Sequence, residues 1–309
     1  MPKKLRPVLS LLLLAFALVI GVVYILNHRS LLQQLGRTPP LTSFTVLLLY
    51  VVMFGVLVLI LDAGVRMCRR KLTWRENSLL NAHSLFINFF IPGQGGPAYR
   101  GVYLYKKHNL RVKNYIVATL FYYAVYAMLN VCLLLSGRQT WWEVLLALAI
   151  VASISWLVIR RYTRRNGLGA HVLDLSAATI GYVVLATVLQ AALQVVIYGV
   201  ELHSVNPHIH LSQIIVYTGT ANLALFVSLT PGAIGIRESF LIFTERLNHI
   251  SSADIIVANV IDRSVYLVFL LLLMVVTILL HLRGRQLRNL PALIKENFGP
   301  AASMGGGRE

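Results

Sequence analysis

Six runs of this sequence carry almost no charge over lengths that a membrane-crossing helix requires. They are Pro7–Leu26, Phe44–Leu61, Tyr115–Leu135, Trp141–Ile159, Val172–Val200 and Asp254–Leu280. About 20 apolar residues cross the hydrocarbon core as a helix. Composition agrees: 57% of the chain is hydrophobic and only 13% is charged, about half the charge density of a soluble domain. That balance excludes a water-soluble globule, and the hydrophobicity excludes a disordered chain. The fold class read from the sequence is all-α, a polytopic helical membrane protein. The first run follows Lys3, Lys4 and Arg6 in the manner of a signal peptide. Its apolar stretch is too long, and Tyr24-Ile25-Leu26-Asn27-His28 offers no small-x-small cleavage site, so it reads as a retained first helix.

Two further stretches fit no clean span. Ser78–Ile91 has 14 residues before Pro92-Gly93-Gln94-Gly95-Gly96-Pro97. Gln213–Leu229 ends in Thr230-Pro231-Gly232, and the half-polar Arg237–Ile250 follows. Short apolar runs of this kind are often re-entrant. Irregular backbone at membrane depth is tolerated only where protein or a water-filled cavity surrounds it. The expected architecture is about six full transmembrane helices plus two Pro-Gly-broken re-entrant hairpins, with up to ten segments if the hairpins cross.

The net charge of +17 is a matter of sidedness, not of nucleic acid. With the N-terminus cytoplasmic and both hairpins returning to their side of entry, 22 of the 28 basic residues face the cytoplasm. Among them are Arg66, Arg69, Arg70, Lys71 and Arg75, then Arg160, Arg161, Arg164 and Arg165. Arg29, Arg37 and Arg138 fall outside. Both termini are therefore expected in the cytoplasm, and the expected location is the cell inner (plasma) membrane.

The two irregular stretches resemble each other: each is an apolar run, Pro-Gly, a Gly four residues after the Pro, and then an Arg. In one these are Pro92, Gly93, Gly96 and Arg100; in the other Pro231, Gly232, Gly235 and Arg237. Each lies between two full helices, and the charge count opens them to opposite sides. The sequence thus reads as one transmembrane domain, residues 1–282, with inverted halves about 44–135 and 172–280 and a basic, Gly-rich tail over 283–309. Matching Gly/Pro-interrupted segments in inverted halves point to a transporter's binding site.

The residue types suggest what would bind. Pro breaks a helix, and Gly (here Gly93, Gly95, Gly96, Gly232 and Gly235) lets a ligand approach the main chain. Exposed helix N-termini suit an anion, and arginine adds a permanently charged, planar donor for phosphate. Asp262-Arg263 lies about nine residues into the last apolar run, where charge is costly and usually functional. The candidate headgroup-binding set is Arg100, Arg237, Glu238, Asp262 and Arg263, with Asp262 expected to pair with Arg237 or to neighbour Arg263 in a polar cavity. An internal ion pair without a ligand is the competing reading.

Other features read as structural. Cys68 and Cys132 have neither metal nor redox spacing. Tyr122, Tyr123 and Tyr126 read as packing aromatics, and Asn130, Gln190, Gln194 and Asn222 read equally well as ligands or as interhelical hydrogen-bonding glue. His203, His208 and His210 share a loop with only Glu201 as a nearby carboxylate, so no metal site is expected. The small, Gly-rich stretch Ala301–Gly307 is expected to be disordered. The sequence holds no P-loop, HExxH, GxSxG or GxGxxG motif, so neither catalytic residues nor cofactors are expected.

The paired motifs, above all Thr230-Pro231-Gly232-Ala233-Ile234-Gly235-Ile236-Arg237-Glu238, resemble the lysylphosphatidylglycerol synthase transmembrane region family, a flippase-like membrane domain. The similarity runs from roughly Leu5 to Leu282. Ala233 stands where that family often has Gly, while Gly235, Arg237 and Glu238 match, as does Arg263 early in the last helix. The resemblance implies translocation of an aminoacylated phospholipid or a lipid-linked sugar between leaflets. The family's soluble synthase domain is not matched, since about 27 residues follow Leu282, and aminoacyl transfer is not expected of this chain.

The leading expectation is a membrane lipid translocator moving an anionic phospholipid or lipid-linked sugar, with Glu238 or Asp262 as carrier of a coupling proton. The alternatives are an accessory subunit of envelope glycolipid or polysaccharide biosynthesis and an intramembrane lipid-linked sugar transferase. Expected partners are anionic membrane lipids and glycosyltransferases or lipid-modifying enzymes, not nucleic acid.

Overall fold

The computed structural model describes residues 39–90, 95–136, 173–227 and 250–298, with side chains over 39–89, 95–136, 173–224 and 250–280. These residues form seven helices: α1 (Pro40–Met67), α2 (Trp74–Phe90), α3 (Gly95–His108), α4 (Val112–Leu135), α5 (Ala177–Val205), α6 (Leu211–Val227) and α7 (Ser252–Phe298). No strand occurs among the described residues. Pro7–Leu26, Trp141–Ile159, Pro92, Gly93, Pro231, Gly232, Gly235, Arg237, Glu238 and Ala301–Gly307 lie outside them.

Four helices have the length and apolarity to cross a membrane: α1, α4, α5 and residues Ser252–Leu280 of α7. They coincide with four of the six uncharged runs. Their surfaces are apolar where they are exposed: Phe44, Leu48, Val51 and Val52 on α1, Leu185 and Leu189 on α5, and Leu272, Val276 and Leu279 on α7. Such belts match hydrocarbon, not water. The chain is a multi-pass helical membrane protein.

Local chemistry sets the helix ends. Pro40 occupies the first turn of α1, where its missing N–H would have no helical partner. At the other end Arg69 adopts a left-handed φ of 54°, and the Arg70 N–H donates to Val65 O at 3.1 Å, closing a Schellman turn. Asn109 is also left-handed, with φ 51°, at the end of α3; there the Leu110 N–H donates to Leu104 O at 3.2 Å, a turn one residue wider. The α5 helix starts at Ala177, five residues later than the apolar run suggests. Ser176 caps it by accepting from the Thr179 N–H at 3.3 Å, and Asp174 accepts from Thr179 Oγ1 at 2.7 Å. The capping chemistry of Asp174 and Ser176 outweighs the hydropathy of Leu173 and Leu175. The last helix runs on to Phe298, past residue 282.

The helices pack as two related sets. In the first, α1 touches α2, α4 and α7; in the second, α5 touches α6, α7 and α4, and α1 packs along α5. Exchanging α1 with α5, α2 with α6 and α4 with α7 turns each of these contacts into another that is present, including α2–α7 into α6–α4. The central core lies between α1, α5 and α7, where Val46, Met53, Ile197, Leu202, Ile255, Ile261 and Val265 are buried.

Candidate functional site

The α2 and α3 helices, of 17 and 14 residues, rise only about 26 and 21 Å, short of a hydrocarbon core of about 30 Å. They form an antiparallel pair about residue 92. Eight residues either side of it, Ser84 Oγ accepts from Arg100 Nε at 2.7 Å. Sixteen either side, Glu76 Oε1 lies 2.7 Å from His108 Nε2. Gly96 makes the close approach possible. A Cβ there would stand 2.6 Å from both the carbonyl and the hydroxyl oxygen of Ser84. Arg100 also lies within electrostatic reach of Tyr115, Tyr122 and Tyr123 of α4.

The base of this hairpin is pinned by charge. Glu76 Oε1 accepts from Tyr103 OH at 2.8 Å and pairs with Lys107 Nζ at 2.7 Å. Burial raises the Glu76 pKa, but the hydrogen bonds from Lys107, His108 and Tyr103 outweigh it and lower the carboxyl from 4.5 to about 2. The hydrogen bond to Glu76 in turn raises the Lys107 pKa.

Above the base, one face of α2 is polar at helical spacing: Asn77, Asn81 and Ser84, all at most 1% exposed. Asn77 Nδ2 donates to Val58 O of α1 at 3.0 Å. Among the described residues neither polar atom of the Asn81 amide meets a hydrogen-bond partner, and neither does Asn77 Oδ1. The opposite side of α2, through Ala82 and Phe86, packs on Phe269, Leu270 and Met274 of α7.

The second-half charges are also buried. Asp262 is 4% exposed, and its Oδ1 accepts a short hydrogen bond from Tyr50 OH of α1. The Tyr50 ring rests on Tyr266 and Phe269, with centroids 5.1 and 5.7 Å away. Glu201, 1% exposed, also lies within electrostatic reach of Tyr50. It is thus turned into the core, away from His203, His208 and His210, which are exposed. The expected Asp262–Arg237 pair involves a residue outside the described ones. The partner seen, Tyr50, comes from 212 residues away.

A third polar group joins the two sets of helices. Tyr122 OH donates to Gln190 Oε1 and Tyr126 OH to Gln194 Oε1, both at 3.0 Å. Asn222 Nδ2 donates to Asn130 Oδ1 at 2.7 Å and to Gln194 Oε1 at 2.9 Å. The amides therefore act as interhelical glue between α4, α5 and α6. The Tyr122 ring packs on both Tyr123 and Tyr126 as expected, but Tyr122 and Tyr126 add hydroxyl bonds to the packing. Tyr50–Asp262 and Tyr122–Gln190 are counterparts under the exchange of halves. Each joins the eleventh residue of its helix pair's later or earlier member, Asp262 of α7 and Tyr122 of α4, to the opposing span.

The structure thus places Arg100 against Ser84 and Tyr115 in one half and Asp262 against Tyr50 in the other. Arg263, half-buried, follows Asp262 on α7. Of the hairpin glycines, Gly95 and Gly96 begin α3. Cys68 is buried in the core, and Cys132 is half-buried. Ser84, Asn81, Glu76 and Tyr50 were not singled out in the sequence; Ser84 and Glu76 follow from laying α2 antiparallel to α3, opposite Arg100 and His108.

No curated protein matches this chain. The profile of one family, described as the lysylphosphatidylglycerol synthase TM region, matches residues 8–274. That span covers most of the 309 residues, and the chain belongs to the lysylphosphatidylglycerol synthase transmembrane region family.

Proposed function

We propose that this chain is a lipid translocator of the inner membrane, both termini cytoplasmic, that passes an anionic headgroup between its two halves. The observation that carries the reading is Arg100. It is held at the middle of a helical hairpin too short to span, fixed by Ser84 and close to Tyr115, beside a buried polar face. A permanently charged donor in that position suits a phosphate. Support comes also from the exchange relation among the helix contacts, since inverted halves rocking against each other give alternating access. In this reading the hairpin is re-entrant, Arg237 and Glu238 of the second Pro-Gly segment complete the site with Arg263, and Asp262 or Glu238 carries the coupling proton.

The reading is of a carrier, not of an enzyme. Three of the described carboxylates hold structure: Asp62 binds Arg66 at 2.6 Å, Asp254 accepts from Asn206 at 3.0 Å, and Glu76 pins the hairpin. The test is mass spectrometry of the lipids that co-purify with wild type and with Arg100→Gln plus Arg263→Gln. A specific anionic lipid present in wild type and lost in the double variant is expected. An identical, bulk-like profile in both would move the weight to an accessory subunit of a glycolipid-assembly complex.

A further inference from the structure

The polar face of α2 differs from the amides that join α4, α5 and α6. Asn222 donates to Asn130 and Gln194 across helices, and Gln190 accepts from Tyr122. Asn81 is fully buried, and both its amide nitrogen and its carbonyl lack a partner among the described residues. One helical turn before it, Asn77 presents a carbonyl oxygen with none. Three residues after it, on the same face, Ser84 holds Arg100. A buried amide left unbonded destabilises the fold, so an apolar residue would serve the fold better.

The set Asn77, Asn81, Ser84, Arg100 and Tyr115 contains one cation, two amides and two hydroxyls, and no carboxylate. The nearest carboxylate along α2, Glu76, is occupied by Lys107, His108 and Tyr103. An arginine beside amides matches a phosphodiester that carries neutral hydroxyl groups: the arginine meets the phosphate, and the amides both donate to and accept from hydroxyls. Within this hairpin set an ammonium meets a like charge in Arg100 and no carboxylate.

Resting on the translocator reading, we infer that the α2–α3 hairpin selects a phosphodiester with a neutral, hydroxyl-rich headgroup and discriminates against a cationic aminoacyl one. Asn81 is the specificity residue. A glycerol headgroup and a phosphate-linked sugar share this chemistry.

The test uses the full chain in nanodiscs of zwitterionic lipid, titrated separately with phosphatidylglycerol, a polyprenyl-phosphate-linked hexose and lysyl-phosphatidylglycerol. Binding is read by native mass spectrometry for wild type, Asn81→Leu and Asn81→Asp. Wild type is expected to hold at least one neutral-headgroup lipid roughly tenfold more tightly than the lysyl lipid, the ratio that about 1.4 kcal/mol gives. Whichever of the two binds better identifies the source of the headgroup. Asn81→Leu is expected to lose this preference while unfolding at the same or a higher temperature. Asn81→Asp, which adds the missing counter-charge, is expected to shift the preference toward the lysyl lipid. Equal or tighter wild-type binding of the lysyl lipid overturns the inference, as does an Asn81→Leu protein that is less stable yet keeps the preference. The outcomes separate from those of the translocator reading. Tight neutral-headgroup binding without movement between leaflets would sink translocation and leave the site, whereas translocation with lysyl preference would do the reverse.

Discussion

Replacing Gly219 with alanine should pry apart α4 and α6, and its size can be worked from the coordinates. A Cβ at Gly219 would lie 2.5 Å from Leu134 N, 2.6 Å from Asn130 O and 3.0 Å from Leu134 Cα. All three are backbone atoms, so no rotamer change relieves them. Reaching an ordinary contact of 3.4 Å requires the helices to part by about 0.9 Å, against an interior packed like a crystal. The same displacement stretches the 2.7 Å Asn222–Asn130 hydrogen bond to about 3.6 Å, beyond bonding range. Overpacking costs about 1–3 kcal/mol, and the stranded amides cost about 1–3 kcal/mol more. Better helix propensity returns about 1 kcal/mol. The net loss is about 3 kcal/mol. The control is Gly181→Ala, where nothing stands within 4 Å of the added Cβ and the expected change is a gain of up to about 1 kcal/mol. Reversible unfolding of the full chain in mixed micelles, followed by tyrosine and tryptophan fluorescence, measures both. A Gly219→Ala protein as stable as Gly181→Ala would refute the close crossing of α4 and α6.

Three further outcomes are expected. Tyr50→Phe removes the hydroxyl that bonds Asp262 and should cost about 1.5–3 kcal/mol in the same unfolding assay, and Asp262→Asn should recover part of it in the double variant; additive losses would show that the two do not interact. Glu76 has a folded pKa of about 2 against 4.5 unfolded, so its contribution is complete above pH 4.5 and fades as pH falls toward 2. Wild type should therefore lose thermal stability over that window, and Glu76→Gln should show a smaller loss; identical pH profiles would contradict the pinned hairpin base. Gly96→Ala places a Cβ 2.6 Å from the Ser84 carbonyl and should abolish anionic-lipid retention along with the Arg100–Ser84 contact. Retention equal to wild type would remove the hairpin from the site.

How much of this could be read from the sequence differed by feature. Uncharged runs located α1, α4, α5 and α7 because hydrocarbon length is a property of local sequence. The start of α5 was missed by five residues because the Ser176 cap and its neighbour Asp174 act through hydrogen bonds that hydropathy does not count. Pro92-Gly93 marked the hairpin, and equal steps from residue 92 lead to Ser84–Arg100 and Glu76–His108. That symmetry was available in the sequence but becomes visible only once the arms are taken as straight and antiparallel. Tyr50–Asp262 was not readable: its partners are 212 residues apart, and only the packing of α1 on α7 brings them together. The intramembrane rarity of Asp262 flagged one end of the bond and gave no clue to the other.

Movement of lipid across a bilayer tests the central claim most directly. Full-length protein is reconstituted into liposomes containing a trace of headgroup-intact, acyl-labelled phosphatidylglycerol, and outer-leaflet label is reduced by dithionite. Label beyond the outer-leaflet half is expected to become reducible with wild type, and Arg100→Gln is expected to slow this to the rate of protein-free vesicles. Wild-type vesicles indistinguishable from empty ones for both phosphatidylglycerol and a polyprenyl-phosphate-linked hexose would contradict it.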